Sequence, residues 1–133
     1  MSYSSVHKAL YKFWGGFADA GKEIPAYISG HVPKTADYPY ITFDVVDNPP
    51  FSSSISTAIA WFKAESGENV NAKRAAFFDD VRREIPAQGR KIIVDGGLLI
   101  LYPNSAAFLS YYDDAESENV VGARVSYEIQ YYH

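Results

Sequence analysis

Three histidines, a short run of serines and one dense set of carboxylates are the residues that could do chemistry, and each fails on spacing. His7, His31 and His133 stand far apart, with no partner at i+4 and no second ligand within a short loop, the arrangements that hold zinc. They read as unrelated surface residues. Ser52, Ser53 and Ser54 lack the Gly-x-Ser-x-Gly turn that exposes a serine nucleophile, so they read as loop residues. Asp113, Asp114, Glu116 and Glu118 would suit calcium only with alternating carboxylates, a distal glutamate and a glycine at the sharp turn. That glycine is missing. Paired catalytic carboxylates need a cleft that forces their pKa values apart, so the cluster reads instead as a solvated hairpin tip. Gly15-Gly16 and Gly96-Gly97 are not followed by a Lys-Ser/Thr pair and cradle no phosphate. With no cysteine, disulfides, zinc thiolates and thiol nucleophiles are all removed. The expectation is a protein without catalytic residues, metal or cofactor.

The elements around these residues read as helix, strands, helix, strands within one domain, 1–133. Ser4 or Ser5 is placed to cap a first helix, on which Val6, Leu10, Phe13, Trp14 and Phe17 fall at helical spacing. Gly15-Gly16 weakens its last turn and Gly21 is expected to end it. A short strand is predicted over 24–28. A polar loop is then stopped at Tyr38-Pro39, and the β-rich run 40–46 follows directly. Residues 47–54 contain two prolines, which remove ladder donors, and read as a long hairpin loop returning as a strand over 55–65. Asn69 is placed to cap a second helix with Val70, Arg74, Phe77, Phe78, Val81 and Ile85 on one face. Arg74's stem is expected to snorkel at its edge, and Asp79 to pair with Arg83 on the solvent side. Pro86 closes that helix.

Asp95-Gly96 marks a hairpin within 92–101, Pro103-Asn104 a further turn, and 107–112 a strand. From 121 to 131 the alternation is unbroken, as expected for a half-buried central strand. Trp14, Trp61, Phe77 and Phe78 read as core. The fold class expected is α+β: a mainly antiparallel sheet with two helices packed on one face and a long hairpin loop.

Charge and composition bear on partners. A net charge of −4 argues against tight nucleic-acid binding, which needs Lys and Arg to displace counterions. No apolar run approaches the roughly 20 residues of a membrane span. The N-terminus, MSYSSVHKAL, has no signal-like apolar region, which points to a cytosol. Tyrosine is over-supplied at 11 of 133 residues, a pointer to protein–protein assembly.

This order of elements resembles the tail terminator, or tail completion, proteins of long-tailed bacteriophages. In that family an N-terminal helix, here 6–17, leads to a loop with a Pro-Tyr entry to the first long strand, here Tyr38-Pro39-Tyr40. A strand hairpin across 47–56, a second helix at 70–85 and closing antiparallel strands up to 132 follow. The resemblance covers nearly the whole chain as order and pattern. Pro49-Pro50-Phe51 and the acidic 113–119 loop depart from it, and head–tail joining proteins fit nearly as well. It implies a virion protein of the neck and tail, assembled in the bacterial host cytoplasm. It further implies a homo-oligomeric ring, commonly a hexamer, that caps the tail tube and docks to the head connector or stopper protein. Candidate interface residues are Pro49, Pro50, Phe51, Tyr111 and Tyr112. The two prolines fix φ near −65° and stiffen an arm with Phe51 at or near its tip, where it either folds back onto the domain's own sheet or inserts into a neighbouring subunit or the tube. The alternative is an NTF2-like small-ligand binding or enzyme module, which would place several helices before a strongly curved sheet and polar residues in a pocket.

Overall fold

In the computed structural model, which describes residues 3–44, 53–64, 69–94, 96–113 and 119–132, the architecture is α+β with a mostly antiparallel sheet. Helix α1 (Tyr3–Trp14) leads into a small hairpin of β1 (Ala18–Asp19) and β2 (Lys22–Glu23). Strands β3 (Ala26–Ile28), β4 (Tyr40–Phe43) and β5 (Ser53–Lys63) follow, then helix α2 (Val70–Glu84). The chain ends in β6 (Arg90–Val94), β7 (Gly97–Pro103), β8 (Leu109–Asp113) and β9 (Val120–Tyr132). The large sheet runs β3-β4-β5-β9-β7-β6, with β8 also paired to β9. Among the described strands only β3 and β4 are parallel neighbours.

The strand read from the 121–131 alternation is β9, and it lies inside the sheet. Strand β5 pairs along one side of it from Lys63↔Val120 to Ser53↔Gln130, while β7 and β8 share the other side. Val125, Tyr127, Ile129 and Tyr131 are buried and Arg124 is exposed, the period-2 result of a pleated strand with one face in the core.

Strands β7 and β8 run in the same direction, so Pro103-Asn104 does not reverse the chain and the predicted strand at 107 begins instead at Leu109. Pro103 pairs with Tyr127 and Leu109 with Val125, so residues 104–108 bulge opposite Ser126 alone. The ladder is stitched across the bulge. Asn104 N donates to Ser126 O (3.2 Å), Ser126 N donates to Phe108 O (2.8 Å), and Asn104 Nδ2 donates to Ser126 Oγ (2.9 Å).

Other local expectations are corrected. Helix α1 already includes Ser4 and Ser5, so neither precedes it as a cap. Its last residue is Trp14. Gly21, at φ 82°, serves the β1–β2 turn rather than the helix end. Asn69 does cap α2, its side chain accepting from Ala72 N (3.2 Å). The ion pairs on α2 join Asp79 to Arg82 and Asp80 to Arg83, three residues apart rather than four. Ser53 and Ser54, read as loop, open β5.

The core joins Val6, Leu10 and Trp14 of α1, Phe77, Phe78 and Val81 of α2, and Ile41, Phe43, Ala60, Val125, Tyr127 and Ile129 of the sheet. Burying each large side chain contributes about 1.5–3 kcal/mol, and the aromatic contacts among Trp14, Phe17, Phe77 and Tyr127 add directional packing.

Candidate functional site

One register row crosses the sheet on the face opposite that core. Tyr40 pairs with Trp61, Trp61 with Gly122, and Gly122 with Tyr112. A Cβ on Gly122 would stand 3.0 Å from Ile59 Cγ2 and 3.0 Å from the Tyr112 carbonyl oxygen. Its absence lets the rings of Trp61 and Tyr112 meet edge to face over the glycine, centroids 5.5 Å apart. Trp61 is fixed by its indole N–H, which donates to Thr42 Oγ1 at 3.0 Å. Tyr40 carries the row onward to Tyr38 (centroids 4.9 Å apart) and Tyr27 (5.9 Å). The Tyr38-Pro39 peptide bond beside it is cis. Burial, then the hydrogen bond and charge of Tyr38, push the Tyr40 pKa up to about 12, so this phenol stays neutral at ordinary pH. The result is an aromatic belt with Tyr112 42% and Tyr38 38% exposed.

Tyr111 lies next to Tyr112 but on the other face, as strand alternation requires. It packs against Phe78 at 5.3 Å, and the Arg74 guanidinium sits over its ring at 4.4 Å. Arg74 does not snorkel out from the helix edge as expected; it is only 7% exposed. It donates to Asp113 Oδ1 (3.0 Å), to the Gly122 carbonyl (3.2 Å) and to Asn71 Oδ1. That ties α2 to the end of β8 and to the glycine under the belt. Asp113, read as part of a solvated tip, ends β8 and is paired while keeping 69% of its side chain exposed.

Of the candidate interface residues, Tyr111 and Tyr112 are adjacent on β8 and serve opposite faces. Pro49, Pro50 and Phe51 lie outside the described residues, as do Asp114, Glu116 and Glu118. Trp61, read as core, is instead half-buried in the outer row. Sequence reasoning missed Tyr27, Tyr38, Tyr40 and Trp61 as one surface and Arg74 as its anchor. Among the described residues no three His, Asp or Glu side chains converge as a metal site, and no helix is long and apolar enough to cross a membrane.

A second feature is a groove of about 690 Å³ between α1, the end of α2 and β6, lined by Lys8, Lys12, Phe13, Glu84, Arg90, Lys91 and Ile93 among others. Arg90 donates to Glu84 at 2.7 Å. Ile93, on the sheet-edge strand, is 89% exposed.

No protein-family model, curated protein or solved structure matches this chain.

Proposed function

We propose that this chain is a structural subunit of the neck of a long-tailed phage, a tail terminator or head–tail joining protein. It forms a homo-oligomeric ring, commonly a hexamer, that caps the tail tube and meets the head connector, without catalytic residues or cofactor. The observation that carries the reading is the aromatic belt Tyr38–Tyr40–Trp61–Tyr112, a strip that an isolated subunit leaves partly bare. Aromatic residues are enriched at protein interfaces, and a ring subunit presents two different patches while consuming sheet edges. Strand β8, whose outer edge meets no other strand among those described, lies at one end of the belt. The order of elements, helix, strands, helix and closing antiparallel strands, supports the same role.

In this reading both helices pack on one face of the sheet and leave the belt face for assembly. Phe51, which lies outside the described residues, is in this reading the residue that meets a neighbour or the tube. A weakly acidic wall would repel phosphates and let a genome slide past. The NTF2-like reading needs a closed apolar pocket with an Asp–His pair. It ranks second because Trp14, Phe43 and Tyr127 fill the core where such a pocket would lie.

Mass in solution, measured with and without phage tube protein, tests the proposal. A ring-sized species that binds tube ends is expected. A chain that stays monomeric, or rings that leave tube ends bare, overturns it.

A further inference from the structure

We propose that the groove between α1 and β6 receives the acidic segment 114–118 of a neighbouring copy of this chain. This deepens the assembly reading and rests only on its ring-forming part. The groove gathers Lys8, Lys12, Arg90 and Lys91 against the single carboxylate Glu84, in a chain whose overall charge is −4. Glu84 is engaged by Arg90. Among the described residues Lys8, Lys12 and Lys91 form no ion pair, and all three are exposed. The segment offers Asp114, Glu116 and Glu118 and no cation, while Asp113 is already held by Arg74. Three lysines without an ion pair among the described residues therefore match in number and charge the three carboxylates that the segment carries in sequence.

The match cannot be made within one chain. The segment joins Asp113 to Asn119, and Asp113 stands in register with Val121 of β9. The groove strand stands at the other end: Arg90 pairs with Leu101, which pairs with Ile129. Eight residues of strand separate Val121 from Ile129, about 27 Å at roughly 3.4 Å per residue. Five residues anchored at both ends on adjacent strands reach out only about 10 Å. The groove and the segment are thus two different patches of one molecule, as a head-to-tail contact requires. The outer edge of β6, which meets no other strand among those described, and the exposed Ile93 offer backbone hydrogen bonds and apolar contact beside the lysines.

Two charge-reversed proteins test this. One carries K8E, K12E and K91E; the other carries D114K, E116K and E118K. Lys8, Lys12 and Lys91 are exposed, and circular dichroism melts confirm that each variant folds. Each variant alone is expected to lose self-association by at least tenfold in dissociation constant. An equimolar mixture should regain it, since every groove then meets a segment of opposite sign. A synthetic peptide of residues 113–119 should shift the amide resonances of Lys8, Lys12 and Lys91 in the wild-type chain, and 0.5 M salt should abolish the shift. Variants that associate like wild type, a mixture that fails to recover, or a peptide that perturbs other residues overturns the proposal. So does a wild-type chain monomeric at millimolar concentration. Tube capping is read separately: rings that respond to charge reversal but ignore tubes sink the tail role and leave the groove contact standing.

Discussion

Trp14 and Tyr127, 113 residues apart in sequence, share one buried hydrogen bond in which the indole Nε1 donates to the phenol oxygen at 3.2 Å. Both side chains are fully buried, so the bond pins α1 onto the central strand where water cannot substitute. Removing the hydroxyl in Y127F leaves the indole N–H without an acceptor, which costs about 1–3 kcal/mol. The urea midpoint of Y127F should fall accordingly with an unchanged slope. An unchanged midpoint would show that the N–H finds another partner.

The same burial sets an alkaline limit. Desolvation pushes the Tyr127 pKa from 10.0 up to about 12, against the opposing hydrogen bonds of Trp14 and Ser56. A raised folded-state value means that the stabilising contribution is complete below pH 10 and is lost as pH rises through 12, because the unfolded chain ionises first. Two units correspond to on the order of 2–3 kcal/mol. Wild type should lose stability steeply between pH 10 and 12, and Y127F should lose less, with Tyr40 supplying part of the remaining slope. Parallel curves for the two proteins would rule out Tyr127 as the source.

Much of this architecture was legible because it depends on local periodicity. The 121–131 alternation located the central strand, and Asn69 and Asp95-Gly96 marked a helix start and a hairpin. The belt was not legible, because β5 carries apolar residues on both faces. Ser56, Ala58, Ala60 and Phe62 point inward, while Ile55, Ile59 and Trp61 point outward. Alternation alone cannot then say which set is core. The pairing of Tyr40 with Trp61 also depends on a hairpin register that two prolines obscure. Arg74 fell on the apolar stripe of α2, and its burial is explained only by Tyr111, Asp113 and Gly122, which arrive some 40 residues later in the chain.

Arg74 makes a graded prediction. R74M keeps the stem but deletes the donors to Asp113 and Gly122 and the cation over Tyr111, and should cost about 1–3 kcal/mol. R74K keeps the charge but not the planar fork and should recover only part of that. D113N should cost less than about 1 kcal/mol, since Asp113 is largely solvated. A D113N loss as large as that of R74M would mean that the ion pair, not the carbonyl and ring contacts, holds the helix to β8.

Gly122 is the position of the belt row where a side chain would be crowded from two sides. In G122A the new methyl meets the Tyr112 carbonyl oxygen of β8 and the Ile59 branch at 3.0 Å each, so β8 or Ile59 must give by a few tenths of an ångström, beside the Trp61 ring. Overpacking of this kind costs about 1–3 kcal/mol. Trp61 fluorescence should change as the indole leaves Tyr112. A G122A protein with wild-type stability and emission would mean that the row has room to spare.

The belt separates assembly from folding most cleanly at Tyr112. Its ring is 42% exposed and its aromatic partner among the described residues is Trp61, met edge to face, so Y112S removes little that holds the monomer together. If the belt is the face a neighbour covers, Y112S should leave the monomer's melting temperature within a few degrees of wild type. It should also shift sedimentation from ring to monomer. Phe51→Ala, outside the described residues, should do the same if that residue docks on a neighbour. The two substitutions together should weaken assembly more than either alone. Rings of wild-type size from Y112S would move the interface away from the belt, and a large loss of monomer stability in Phe51→Ala would assign Phe51 to the core.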